Sequence, residues 1–509
     1  MNFTFFLKHK WECFFLTLII FLIWNTGIHS DDYGLIYIFN NYGFPKLNLS
    51  HKYIQFVPWL SFKYPLFRIA ENHLWLFDLY KMAINFSTIL VFSRFLLLYL
   101  PRPYHLIISF LFIFFPTHDS TVYWFTGQYF NFAALLCTSS YLLINKKSYK
   151  LGSAINLLAA FFSYASPAMG AAFCFLFLLK KEFKKFFIYV TPHLLYFLFV
   201  ILVFSSQGSD TRIESVNPFI LINNLFIHIM ALLDAQLGGS FIFKIFYSIL
   251  SINVSGLLFL GLIVYFIVKK TDSNTLVIPK ELIYFSLALL LFAALKFAMT
   301  GKYYPMSFNL GNRVCFYSAL FFVLIFFNFF KSIILQRTIL VIFFAAIFGL
   351  SNHWKNWNTI QKNIIQQMKS NSSFSNVETG DTIFLDGGLF SQLGPFSHIE
   401  FLDEDAGSII TSRHVVKKTV VNFPFSQRLK LIDGLLYDSK YGTKIEMKQN
   451  IWYYHLKTDS LEKIDQLTIQ EKINDLPQST RHWIQLLDSE NFIVKNIIKY
   501  LPQLNYLWK

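Results

Sequence analysis

The chain has 509 residues, 55% hydrophobic and only 14% charged; Phe alone contributes 62, and mean hydropathy is +0.45. That composition excludes a soluble globular protein and points to a polytopic membrane chain. The net charge of +15 could suggest a nucleic-acid partner, but 26 of the 44 Lys/Arg and only 12 of the 29 Asp/Glu lie in residues 1–350. The excess therefore belongs to membrane-flanking loops, and no nucleic acid is expected.

Eleven hydrophobic spans fit the chain, near 12–28, 78–99, 104–116, 129–144, 151–163, 167–179, 186–205, 241–268, 281–299, 314–330 and 335–350. Loop charge alternates between them. Lys8 and Lys10, Arg102, Lys146-Lys147 with Lys150, Lys180-Lys181 with Lys184-Lys185, Lys269-Lys270 with Lys280, and Lys331 with Arg337 fall on one side. The positive-inside trend makes that side cytoplasmic. An odd number of spans then places residues 351–509 outside. The first segment lacks a small-x-small cleavage pattern and reads as an uncleaved anchor. Cys13, Cys137, Cys174 and Cys315 sit in hydrophobic segments at irregular spacing and read as buried apolar residues.

Residues 29–77 form a long first outer loop that opens on "HSDDYGLIYIFNNYGFP". Two adjacent carboxylates at a helix mouth are costly unless solvated, paired or bound to a cation. Asp31 and Asp32 are therefore the leading catalytic candidates, as a general base toward an acceptor or as ligands of a divalent ion. Trp59, Phe62, Tyr64, Phe67, Trp75 and Phe77 suit interfacial helices.

The second outer loop is "PTHDSTVYWFTGQYFN". His118 and Asp119 offer a metal-ligand pair or an acid/base pair, and Tyr123, Trp124 and Gln128 could stack on or hydrogen-bond a sugar. Residues 206–240 are apolar but carry Asn223, Asn224, His228 and Asp234 and end in a glycine pair; they read as a helix lying in the interface. In "GKYYPMSFNLGNRVCF", Lys302 and Arg313 are cations on the outer side, suited to an anionic group such as a lipid phosphate.

After Leu350 the pattern changes. "NTIQKNIIQQMKS" reads as a helix within a 351–376 linker. "DTIFLDGG", "HIEFL", "HVVKKTVVNF" and "IWYYHLK" read as strands, and "STRHWIQLLDSENFIVKNIIKYL" as a helix. Residues 377–509 thus form a small extracytoplasmic α/β or α+β domain following an all-α transmembrane domain over 1–350.

There is no phosphate-binding Gly-rich loop, GxSxG, HExxH or CxxC. Acidic residues are nearly missing from span interiors; Asp78 with Lys81 begins the second span. That disfavours an ion-coupled transporter.

An acidic pair just after the first helix, an interfacial first loop, an acidic second loop, the "SPAMG" turn and a final outer domain resemble the GT-C superfamily of membrane glycosyltransferases. Its members include protein O-mannosyltransferases, oligosaccharyltransferases, lipid A aminoarabinose transferases and arabinosyltransferases. The resemblance lies in topology over most of the chain. It implies a sugar donor on a polyprenyl phosphate, entering from membrane lipid, and a glycan, lipid or protein acceptor. It implies that Asp31 or Asp32 acts as base or metal ligand, with Asp119 and His118 assisting, and that Lys302 and Arg313 contact the donor phosphate. A divalent cation (Mg or Mn) is the implied cofactor, although no DxD or ExD triplet stands in the second loop and the WWD-type motif is missing. The expected setting is a bacterial inner membrane, in assembly of cell-surface polysaccharide or lipopolysaccharide. Rival readings are an O-antigen polymerase or ligase, a lipid-linked oligosaccharide transporter, and a non-catalytic scaffold.

Overall fold

The computed structural model describes residues 10–36, 66, 69, 73–162, 165–205, 218–270, 276–299, 303–385, 390–401, 410–416, 421–424, 429–438, 443–447, 450–474 and 492–502. Most of the first outer loop, and with it Trp59, Phe62, Tyr64 and Phe67, lies outside them, as does Lys302.

The chain is predominantly helical. In order come α1 (Lys10–Ile23), α2 (Trp75–Leu96), α3 (Tyr104–Phe114), α4 (Tyr129–Asn145), α5 (Tyr149–Phe162), α6 (Ser166–Leu179) and α7 (Phe183–Ser205). They are followed by α8 (Pro218–Leu237), α9 (Gly239–Leu250), α10 (Val254–Lys270), α11 (Lys280–Ala298), α12 (Phe316–Phe329) and α13 (Ile333–Ser370). Five segments are long and apolar enough to cross a membrane: Trp75–Leu96, Pro218–Leu250, Lys280–Ala298, Leu310–Phe329 and Ile333–Ser370. Shorter apolar helices, among them Tyr149–Phe162 and Ser166–Leu179, pack beside them.

Aromatic side chains fill the bundle. The Phe95 ring of α2 lies 5.4 Å from Tyr141 of α4, 5.3 Å from Phe173 of α6 and 5.0 Å from Phe285 of α11. Lipid tails are as apolar as these rings, so close packing between helices, more than exclusion of water, holds them there.

Two expectations about helix boundaries need correction. The span anticipated over 241–268 is broken. α9 ends at Leu250, Ser251 caps it, and α10 starts at Val254. α9 instead follows α8 after a one-residue break at Gly238, within the apolar stretch Pro218–Leu250. α8 meets the end of α11, and α9 meets the loop that follows α3. Asn224 of α8 donates to the Ala298 carbonyl, and Lys244 of α9 reaches Asp119. The break between 350 and the linker is also absent, because α13 runs unbroken for 38 residues. At about 1.5 Å per residue it extends roughly 57 Å, near twice a hydrocarbon core. Its apolar half packs in the bundle and its polar half carries the C-terminal domain. α13 approaches α9 so closely at Gly349 that a Cβ there would sit 1.6 Å from the Ser248 carbonyl oxygen.

The C-terminal region contains β1 (Thr382–Leu385), β2 (Phe390–Leu393), β3 (Phe396–Glu400), β4 (Val421–Pro424), β5 (Leu429–Ile432), β6 (Leu435–Asp438), β7 (Thr443–Glu446), β8 (Ile451–His455) and β9 (Ser460–Lys463). Two helices follow, α14 (Gln466–Asn474) and α15 (Phe492–Tyr500). One sheet has the order β4-β1-β8-β9, with β1 parallel to both neighbours and β9 antiparallel to β8; β2-β3 is a hairpin and β5-β6-β7 a meander. The four strand stretches read from sequence each contain a strand, although "HVVKKTVVNF" opens as a π-helical turn over Ile410–Val415. Of the terminal helix only Phe492–Tyr500 is described.

Side chains alternate across β1 with the period-2 geometry of a strand. Ile383 and Leu385 join the hydrophobic cluster that continues into the bundle, and Phe384 joins the domain's own core with Leu429, Leu436, Ile451 and Ile469. The domain is thereby seated on the helices by one face of its central strand.

Candidate functional site

The turn after α1 is built on backbone that most residues avoid. Asn25, Gly27 and Ser30 all have positive φ. At Gly27 (φ 72°) any Cβ would be strained, and it would lie 2.0 Å from the Asn358 Oδ1 of α13 and displace that side chain. A buried ion pair at the start of α2 ties this turn down. Asp78 accepts from the Asn25 and Gly27 amides at 2.9 and 3.1 Å and from the Thr26 hydroxyl at 3.2 Å. Lys81 sits 2.9 Å from Asp78 and donates to the Thr26 hydroxyl and to the carbonyls of Gly27 and Tyr123. His29 is buried next, with Nε2 donating to the Thr26 carbonyl at 2.7 Å and Nδ1 2.9 Å from the Gln361 amide of α13. Burial, reinforced by the Lys81 charge, pushes the His29 pKa down to about 3.

The two carboxylates that follow have different environments. Asp32 is fully buried. Its Oδ2 accepts from the His29 amide at 3.0 Å, and its Oδ1 accepts from the Thr126 amide and hydroxyl at 2.8 and 2.6 Å. It therefore fastens the first outer loop to the second. Asp31 is exposed and has no side-chain partner among the described residues.

Trp124 continues the junction: its indole Nε1 donates to the His29 carbonyl at 3.1 Å. The Arg313 guanidinium lies 5.1 Å from the Trp124 ring and 5.9 Å from the Tyr303 ring, and its Nη1 donates to the Leu310 carbonyl. Stacking of this kind suits a guanidinium and would not suit an ammonium equally well. The loops that carry Asp31, Trp124 and Arg313 thus meet at one end of the bundle.

Tyr123 and Gln128, expected as sugar contacts, point elsewhere. Tyr123 is buried with its ring 5.6 Å from Trp354. Gln128 donates to the Thr121 and Val122 carbonyls and accepts from Asn85. Both brace the second loop from inside.

His118 and Asp119 do not face a common point. The His118 ring is hydrogen-bonded on both nitrogens, to the Thr121 hydroxyl and the Phe112 carbonyl. Asp119 is the centre of a separate buried node. Its Oδ1 accepts from Lys244 of α9 at 3.1 Å and from Asn312 at 2.6 Å; its Oδ2 accepts from the Trp354 indole of α13 at 2.6 Å and from His398 of β3 at 2.8 Å. Lys244 is also 2.9 Å from His398 Nε2, and Asn312 Oδ1 accepts from the amide and hydroxyl of Ser120. Burial alone would raise the Asp119 pKa; Lys244 and His398 outweigh it and hold the carboxyl below its usual range.

This donor set does not fit a divalent ion. Both Asp119 oxygens are occupied by hydrogen-bond donors, Lys244 already supplies the countercharge, and the His118 nitrogens are committed to other groups. The expected pairing of His118 and Asp119 at a metal is therefore not the arrangement seen. Among the described residues no group of three or more His, Cys, Asp and Glu is gathered as a metal site.

Sequence reasoning missed Lys244, His398, Trp354 and Asn312. One signal for Lys244 was present: it is the single charge in the apolar run "GSFIFKIFYSIL", and a lone ammonium in such a run calls for a partner. Nothing local marked His398 or Asn312.

Comparisons of the chain with family models, with curated proteins and with solved structures found no match.

Proposed function

We propose that the chain is an integral-membrane glycosyltransferase of the GT-C type. In this reading it moves a sugar from a polyprenyl-phosphate donor to a glycan, lipid or protein acceptor on the extracytoplasmic face. The observation that supports the proposal is that the loop carrying the exposed carboxylate of Asp31 is bonded, through His29 and Asp32, to the second loop, whose Trp124 ring lies under the Arg313 guanidinium. Displacement at an anomeric carbon needs a base for the acceptor and charge relief for the departing phosphate. Asp31 is the accessible carboxylate and would take the acceptor proton. Arg313, with Lys302 on the same loop, would hold the phosphate oxygens, and Trp124 and Tyr303 would orient the guanidinium. Asp32 positions the loop and does not itself need to touch substrate. No step is assigned to a metal ion.

In this reading the eleven crossings are α1 to α7 and α10 to α13, with α8 and α9 on the outer side. Asp31, Asp119 and Arg313 then share one face with the C-terminal domain. A reporter fused after Lys509 tests this topology, and a cytoplasmic signal would overturn it.

The activity is tested by Asp31→Asn. Lipid-linked sugars and surface glycans are compared by mass spectrometry between the wild-type strain, a deletion strain and the variant at equal membrane levels. The deletion strain should lose one sugar modification, with its lipid-linked donor accumulating. Asp31→Asn should reproduce that loss. An unchanged glycan profile in the deletion strain would refute the glycosyltransferase reading, and full transfer by Asp31→Asn would remove Asp31 from it.

A further inference from the structure

The end of the bundle away from Asp119 carries a different concentration of charge. The turn between α4 and α5 reads "NKKSYK" and the turn between α6 and α7 reads "KKEFKK". Together they hold seven lysines and one acid, Glu182. The fold brings the two turns side by side. Lys185 donates to Asn145 at 2.9 Å and pairs with Glu182 at 2.6 Å, and Lys184 stands 5.1 Å over the Tyr149 ring. Lys180 donates to the Tyr141 hydroxyl at 3.4 Å and stands 5.1 Å over the Tyr99 ring, which adds the Arg102 loop to the same face. The single acid is thus spent on Lys185. Lys146, Lys147, Lys150 and Lys181 are exposed.

The backbone supplies a second observation. α4 and α6 close in the same way. After α4 the Lys147 and Ser148 amides return to the Ile144 and Leu143 carbonyls; after α6 the Lys181 and Glu182 amides return to Leu178 and Phe177. In each closure the residue in the left-handed region is a lysine, Lys147 at φ 63° and Lys181 at φ 56°. That position ordinarily favours Gly, or Asn, because a Cβ is strained there. Complementing the helix dipole does not require a cation at that residue, since the neighbouring lysines already serve. Two strained lysines that project from adjacent helix ends point to a ligand outside the chain.

The surroundings define that ligand. Leu178, Leu179, Phe183 and Phe187 are exposed next to the lysines. An acyl chain can lie along this apolar flank while its headgroup reaches the ammonium groups, and aromatic rings under Lys180 and Lys184 suit the headgroup level. We propose that the α4–α5 and α6–α7 turns form a binding surface for anionic phospholipid headgroups. The proposal needs only that the bundle sits in a bilayer and is independent of the transferase reading. Clusters of this kind draw anionic lipid electrostatically, with an effect that fades beyond the screening length.

The test is native mass spectrometry of the full-length protein in detergent, titrated with phosphatidylglycerol or with phosphatidylcholine of the same acyl chains. The wild type should retain phosphatidylglycerol several-fold better, and the preference should shrink as salt is raised. Lys147→Gly/Lys181→Gly should lose most of that preference while its thermal midpoint holds or rises, because glycine suits both φ angles. Adding Lys146→Gln, Lys150→Gln and Lys184→Gln should abolish it. Equal retention of the two lipids by the wild type, or an undiminished preference in the five-fold variant, would overturn the proposal. Displacement of phosphatidylglycerol by inorganic phosphate at equal concentration would mark a free-anion site instead and would also overturn it.

Discussion

Asp31 and Asp119 belong to loops at the same end of the bundle and are both acids beside apolar helices, yet the protein treats them in opposite ways. Both Asp119 oxygens are claimed, by an ammonium, an indole, an amide and an imidazole drawn from α9, α13, the turn before α12 and β3. Asp31 stands exposed one residue before a carboxylate that is fully bound. A carboxylate saturated with donors holds elements together and has no lone pair left for a substrate proton. An exposed one on a braced turn costs little to keep and stays available. The difference separates a carboxylate spent on assembly from one left exposed, and it can be attacked from either side.

The largest effect is expected at the node. Asp119→Ala leaves Lys244 buried without its countercharge, and loss of one partner of such a pair costs about 3–5 kcal/mol. The variant should show a sharply lowered unfolding midpoint in detergent and reduced membrane levels. Asp119→Asn/Lys244→Met removes both charges and should recover part of that loss. If the double variant is no more stable than Asp119→Ala, the ion pair is not what the node depends on.

Next comes the bracing of the turn that carries Asp31 and Asp32. Asp32→Ala leaves the Thr126 amide and hydroxyl without their acceptor, an effect of about 1–3 kcal/mol. Trp354→Phe removes one bond to Asp119 and should fall in a similar range. Both are read as shifts in thermal midpoint, and limited proteolysis of the first outer loop should accelerate only in Asp32→Ala.

A smaller, pH-dependent effect is expected at His29. Its folded pKa is lowered, so the folded form stays neutral while the unfolded chain takes up a proton. The contribution is fully present above pH about 6.5 and is lost as pH falls toward the folded value of about 3. Buried His118, with its pKa lowered to about 4 by burial, loses stability over the same interval from pH 6.5 to 4, so His29 is read as its increment to that fall, while the lowered Asp119 pKa acts mainly below it. Replacing His29 by Gln should lessen the fall in thermal midpoint across that interval; an unchanged slope would contradict a neutral buried His29.

The smallest stability effect is at Asp31. Asp31→Asn should stay within about 0.5 kcal/mol of wild type, as exposed substitutions do. A large destabilisation would make Asp31 a second structural acid and erase the contrast with Asp119.

Much of the architecture was legible in the chain. Composition alone required a membrane protein, apolar runs located most of the helices, and the shift after Leu350 marked a strand-containing region. These signals are local, since hydrophobic run length and periodicity report the environment of a residue without naming its partner. The same logic flagged Asp31-Asp32, because adjacent charges near apolar helices need a reason. Boundaries were less legible. The α9–α10 break falls within a hydrophobic run, and α13 continues past its apolar part because its polar half is also helical.

What only the tertiary structure decided is which acid is spent on holding the fold. Asp119 meets Lys244 across 125 residues and His398 across 279. No local pattern encodes such a pairing, because it depends on how α9, α13 and β3 stack against the second loop. Asp32 is set apart from Asp31 by bonds from the His29 amide and from Thr126, which lies 94 residues away. The sequence determined that charge had to be compensated at this end of the bundle, since burial in an apolar setting demands it. The packing determined which groups compensate it, and so which carboxylate remains exposed.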